Sequence, residues 1–112
     1  MYQYLSDCHH CQWEKLEIDG VESKTLYVDE QTNARTVETK LSPGAVIPRH
    51  SHTHAHETVY VLSGDFIEEG VKYGPGSYFV GKAGVSHGPH KSDNGCLVIT
   101  HWTGGPIDFV ME

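Results

Sequence analysis

Turn signals recur at short, regular intervals along this chain of 112 residues, and that spacing limits the fold more than any other feature. Asp19-Gly20, Ser42-Pro43-Gly44, Ser63-Gly64, Glu68-Glu69-Gly70, Gly74-Pro75-Gly76, Ala83-Gly84, Asn94-Gly95 and Thr103-Gly104-Gly105-Pro106 each interrupt it. Glycine and proline at such positions favour turns and end regular elements. Between them lie short runs rich in Val, Ile, Thr, Tyr and Phe: Thr25–Asp29, Arg35–Leu41, Thr58–Leu62, Phe66–Glu68, Ser77–Val80 and Cys96–Trp102. No segment keeps a helical apolar period over three turns; only the neighbourhood of Leu16 and Ile18 has room for a brief helical turn. Many short strands at this spacing predict an all-β fold, an antiparallel sandwich or small barrel. A small barrel has an interior wide enough for side chains or one small ligand, which places function inside it or at its mouth.

Length and charge narrow the function. The chain is short enough for one domain with one core, and it shows no repeat, linker or composition shift. We expect an N-terminal extension over 1–19 and a β-barrel domain over 20–112. The net charge of −7 and the absence of any basic run argue against nucleic acid as a partner. No targeting segment is visible and no apolar stretch approaches membrane-spanning length. Three cysteines are too few for a disulfide framework, so reduced thiols and a cytoplasmic setting are expected.

Histidine is the chemically distinctive residue. There are nine, and seven of them lie between His50 and His101. The stretch His50-Ser-His-Thr-His-Ala-His-Glu57 places four histidines two residues apart and closes on a glutamate. In an unbroken strand, side chains two apart share a face, so His50, His52, His54 and His56 would point one way and Glu57 the other. A site that uses the glutamate with the histidines therefore requires a break between them. Imidazole nitrogens suit zinc, iron, nickel and copper, and a carboxylate adds an oxygen ligand and a negative charge.

The spacing carries a resemblance. Gly44, then five residues, His50-x-His52, four residues, Glu57, six residues and Gly64 resemble the first cupin motif with every anchor filled. Gly76, Gly84 and His87 match the second motif, with Lys82 at its proline position and Lys91 at its asparagine position. The segments LSPGAVIPRHSH, VYVLSGDFIEEGVKYGPGSYF, SHGPH and NGCLVI look like the cupin domain of the ChrR anti-sigma factors and the related small acetylacetone and dihydroxyacetophenone dioxygenases. The resemblance covers roughly residues 20 to 102. It implies a double-stranded β-helix, and one divalent metal on His50, His52, Glu57 and His87. Iron or zinc leads, with manganese, nickel or copper also suited to such donors.

Other residues are weighed beside that set. His54 and His56 fall in the spacer, where the pattern requires no particular residue; the sharper reading puts His56 at the barrel mouth as a proton shuttle or substrate-orienting group. Taking His52 and His54 as the working pair would leave only two residues before Glu57, shorter than the pattern. His90 is expected in a turn near the site. His101 shares parity with Leu97 and Ile99, which predicts an interior or pocket position. One of Tyr78 and Phe79 must face inward. His56, His101 and Tyr78 are thus the candidate catalytic residues. A single Cys8-x-x-Cys11 without a second pair is a weak metal or redox signal, and Cys96 reads as a packed, inert thiol.

Two functions compete. An open iron site leaves positions for dioxygen and a chelating substrate, giving a small-molecule dioxygenase. Zinc held by four protein ligands is a closed site, giving a sensor or regulatory domain. ChrR-type factors carry a helical sigma-binding domain ahead of the cupin, for which about twenty residues leave no room, and this tilts the reading towards an enzyme. A small-molecule partner and a homodimer are expected from the resemblance.

Overall fold

The computed structural model describes residues 1–112 and contains strands but no helix. Twelve strands follow in order: β1 (Glu14–Lys15), β2 (Val21–Val28), β3 (Arg35–Leu41), β4 (Val46–Ile47), β5 (His50–Ser51), β6 (His56–Gly64), β7 (Phe66–Glu68), β8 (Val71–Tyr73), β9 (Tyr78–Gly81), β10 (His90–Lys91), β11 (Cys96–Thr103) and β12 (Val110–Met111). A six-stranded sheet runs β1-β2-β3-β11-β6-β9, a four-stranded sheet runs β4-β10-β7-β8, and β12 pairs with β5. All pairings are antiparallel. This is the double-stranded β-helix expected from the resemblance.

Alternation sets the core. Cys96, Val98, Thr100 and Trp102 of β11 are buried while Leu97, Ile99 and His101 are only half-buried. The register lays Val98 beside Val61 and Thr39, Thr100 beside Val59 and Val37, and Trp102 beside Glu57. Inward residues of β6 therefore grade from apolar Val61 and Val59 to Glu57, so one end of the strand packs the core and the other faces the site. The larger core holds Val21, Leu41, Ala45, Val59, Val61, Phe66, Cys96 and Val98; a smaller one holds Val37, Ala55 and Trp102. Gly64 closes β6 at φ +81°, and a Cβ there would lie 2.0 Å from the Gly95 carbonyl oxygen. The motif's last glycine thus lets two segments of the chain meet at the end of the barrel.

Several expectations need correction. His101 faces away from the core, because the inward parity on β11 belongs to Cys96, Val98 and Thr100; Thr36 Oγ1 lies 2.7 Å from its Nδ1 on that outer side. Tyr78 is exposed and Phe79 turns inward against the core. His90 lies on a strand, not in a turn. The neighbourhood of Leu16 and Ile18 forms a turn without helix. Cys8 and Cys11 are closed as a disulfide rather than left as free thiols. Cys96 is free and buried, as expected. The first residues are tied to the barrel: β1 pairs with β2, the Lys24 ammonium donates to the Cys8 carbonyl at 2.8 Å, and the ammonium groups of Lys24 and Lys40 lie 4.6 and 4.7 Å from the Trp13 ring centroid.

Candidate metal centre

The break required by parity comes immediately after β5. That strand holds only His50 and Ser51, pinned on one edge by β12 and by paired backbone hydrogen bonds between His50 and His87. A bend follows at Thr53 and His54, Ala55 turns into the smaller core, and β6 begins at His56. The chain thereby changes phase. His50 and His52 are each 2 % exposed and Glu57 is 8 % exposed, whereas His54 and His56 face solvent.

Hydrogen bonds prepare the buried imidazoles. His50 Nδ1 lies 2.7 Å from the Pro48 carbonyl and His52 Nδ1 lies 2.7 Å from the Asp108 carbonyl. A carbonyl only accepts, so in each ring Nδ1 carries the proton and Nε2 keeps its lone pair. His52 Nε2 is buried with no hydrogen-bond partner. His50 Nε2 lies 3.1 Å from His87 Nε2; Glu57 Oε2 lies 3.0 Å from His87 Nε2, and Oε1 lies 3.7 Å from His52 Nε2. Ligand atoms about 2.1 Å from one ion stand about 3.0 Å apart at right angles and about 3.4 Å apart at the tetrahedral angle. The two edges at His87 match that spacing, and the edge between His52 and Glu57 is longer. A buried lone pair without a donor, beside a buried carboxylate, fits a divalent ion, since an unpartnered polar atom is otherwise costly.

Protonation equilibria agree. Burial lowers the pKa of His87 to about 4, with the charges of His50, His90 and His52 adding to the effect. Burial also lowers that of His50, against the Pro48 hydrogen bond. Burial raises the pKa of Glu57, opposed by His52 and His90. The two histidines are therefore held neutral and ready to donate, and the carboxylate is starved of a counter-charge that a metal would supply.

Residues unassigned from sequence complete the surroundings. His90 is 9 % exposed; its Nδ1 forms a short hydrogen bond with Glu68, whose other oxygen accepts the Gly88 N–H at 2.7 Å. His50, His87 and His90 form one potential ligand triad, and His52, Glu57 and His87 form another. Gly81 lies opposite Glu57 at the end of β9, and a Cβ there would stand 3.0 Å from His87 Nδ1. Asp108 supplies the His52 acceptor and also binds Thr53 through its carboxylate, while the Phe109 ring lies 4.8 Å from that of His52. The Trp102 indole N–H is buried without a partner. Only the Ser-His-Gly-Pro-His spacing hinted at His90; nothing in the sequence marked Gly81 or the Asp108 carbonyl.

Two spaces adjoin the cluster. One, about 80 Å³, is lined by His50, Glu57 and His90 with Leu16, Ile18, Leu41, Val59, Phe66 and Trp102 among its mostly apolar walls. The other, about 260 Å³, runs past Glu57, Glu68, Gly81, His87 and His90. The three candidate catalytic residues line neither space. His56 is exposed, its Nδ1 accepting the Ala83 N–H at 3.1 Å, and His101 and Tyr78 lie on the outer face for the reasons given above.

Comparison with known proteins gives the family and the fold. The ChrR cupin-like domain family matches residues 2–104. The chain belongs to that family. No curated protein matches. Among solved structures, KdgF from Halomonas sp. is 27 % identical over 88 % of this cupin and 90 % of its own chain, with a TM-score of 0.76. An RmlC-like cupin from Shewanella frigidimarina is 21 % identical over 93 % of both chains, with a TM-score of 0.78. An acetylacetone dioxygenase from Acinetobacter johnsonii is 17 % identical over all of this cupin and 80 % of its own chain, with a TM-score of 0.79. The latter two likenesses are of fold. The cupin thus carries a His/Glu cluster fit to hold a metal ion, and no helix in it is long and apolar enough to cross a membrane.

Proposed function

We propose that this cupin is a metal-dependent enzyme of the non-haem iron dioxygenase type, acting on a small molecule, with the ion on His50, His52, Glu57 and His87. The observation that carries the reading is the open space beside the cluster. Glu57 and His90 border both the apolar cavity and the wider cleft, whereas four-ligand structural zinc is enclosed. Iron, when bound, supplies coordination positions at which dioxygen and a chelating substrate can meet. The chain's own residues do the rest. The carbonyls of Pro48 and Asp108 keep Nε2 of His50 and His52 free to donate, and Glu57 contributes charge. Val59, Phe66 and Phe79 along the cleft exclude water and favour an apolar or aromatic substrate body. A homodimer in the cytoplasm with a small-molecule substrate completes the reading.

The second reading is a zinc-binding sensor, favoured by the match to the ChrR cupin-like family. Oxygen uptake by iron-loaded protein with β-diketone or aryl-ketone substrates separates the two. Uptake that requires both iron and substrate supports the enzyme; tight zinc with no uptake supports the sensor and overturns the enzyme.

A further inference from the structure

Leu16 and Ile18 belong to the segment ahead of the barrel, yet both line the apolar cavity beside the cluster. Strand register shows how far from the cluster they stand. Along β11, Trp102 lies opposite Glu57 at one end, and Cys96 lies opposite Leu41 and Gly64 at the other. The strand from Cys96 to Trp102 spans about 20 Å at the usual rise per residue. Val21 pairs with Leu41 at the second end and holds the N-terminal segment there. The Leu16 N–H donates to the Val21 carbonyl at 3.0 Å, and the Val21 N–H donates to the Ile18 carbonyl at 3.2 Å. The cavity therefore runs from His50 and Glu57 down the barrel, and Leu16 and Ile18 stop it at the far end. Ile18 packs against the larger core, while Leu16, 44 % exposed, lines the cavity with one side and meets solvent with the other.

Size limits what this cavity admits. At about 80 Å³ it has roughly half the room of an apolar cavity of about 150 Å³ that stays dry and holds benzene. An unbranched alkyl arm of a few carbons fits, and an aromatic ring does not. The wider cleft, about 260 Å³, has room for a ring beside Phe66 and Phe79. The two spaces meet at Glu57, Val59, Phe66 and His90, which line both. We propose that Leu16 and Ile18 are specificity-determining residues. They set the length of the alkyl arm that a substrate extends from the cluster into the barrel, while its bulkier arm stays in the cleft. This rests on the small-molecule reading above and deepens it, and it gives the segment ahead of the barrel a part in the site.

Anaerobic calorimetry of the iron-loaded full chain with a series of phenyl alkyl ketones, from acetophenone through propiophenone and butyrophenone to hexanophenone, tests the proposal without turnover. In the wild-type protein each added methylene should tighten binding about fourfold while the cavity fills. Affinity should then drop once the chain meets Leu16 and Ile18. Leu16→Ala is expected to move that break to a longer chain, and Leu16→Phe to a shorter one. Opposite shifts separate an end-stop from a folding defect, because a damaged protein would bind every ketone more weakly and leave the break in place. The same break in both variants, or affinity that never rises with chain length, would overturn the inference. So would failure of the wild-type protein to bind any of these ketones, while oxygen uptake with β-diketones tests the enzyme reading separately. A break that moves with Leu16 in a protein that takes up no oxygen would keep the end-stop and overturn the enzyme reading alone.

Discussion

His50 and His52 share a sequence pattern with His54 and His56, yet the two pairs have opposite fates. The first pair is 2 % exposed and each ring is anchored through Nδ1; the second faces solvent. Alternation therefore did not set the outcome; the end of β5 did. Once the strand stops at Ser51 and the chain bends at Thr53, the parity that would have aligned all four is reset. That reset is what allows Glu57 to face inward with His52. Spacing shows which residues are able to cooperate, and backbone breaks decide which of them do.

The contrast can be broken most severely at His52. His52→Ala or Glu57→Ala is predicted to lower metal affinity by about a hundredfold or more, as expected when a buried ligand is removed rather than a supporting group. Competitive titration with a chromophoric chelator reads this directly, and wild-type affinity in either variant would break the assignment.

A smaller effect is expected from Gly81→Ala. The added methyl would crowd His87 Nδ1 at 3.0 Å and come into ordinary contact with Glu57 Oε2 at 3.7 Å, without a strained backbone. Metal affinity should fall about tenfold, on the scale of disturbing a ligand's surroundings, while thermal unfolding of the apo protein stays cooperative. Unchanged affinity would show that His87 has room to move.

Apo stability sharpens the contrast through pH. His87 has a folded pKa of about 4 against an ordinary 6.5. The unfolded chain therefore binds more protons in that window, and this contribution to stability is complete above pH 6.5 and is lost as pH falls towards 4. Glu57, raised by burial, works in the opposite sense above its ordinary 4.5. The contribution of His87 is best isolated as a difference: His87→Gln should flatten the decline in apo melting temperature between pH 6.5 and 4. An equally steep decline in the variant would contradict the burial of a neutral imidazole.

The smallest effect belongs to the exposed pair. His54→Ala and His56→Ala are each predicted to change stability by less than about 0.5 kcal/mol, typical of surface substitutions, and to leave metal affinity unchanged. Denaturant midpoints and the same chelator titration check both.

The sequence was legible where residues carry strong local rules. Arg35–Leu41 and Phe66–Glu68 are strands with the bounds expected, and β6 and β11 extend only slightly past theirs. The two-residue strands β4, β5, β10 and β12 were not legible, because two residues cannot display alternation. His101 was misplaced because Leu97 and Ile99 look like a core face, although they lie on the outer side while Thr100 points in. In the site, His50, His52, Glu57 and His87 stood out through motif spacing. Glu68, Gly81 and Asp108 did not, since their roles arise from strand register and from a loop that folds back more than fifty residues along the chain.

Metal content of untagged protein, purified without a nickel column that the histidine run could strip, tests the central claim most directly. Elemental mass spectrometry should find one ion per chain in the wild-type protein and in His54→Ala, and almost none in His50→Ala. Retention of the ion by His50→Ala together with its loss from His54→Ala would contradict the account.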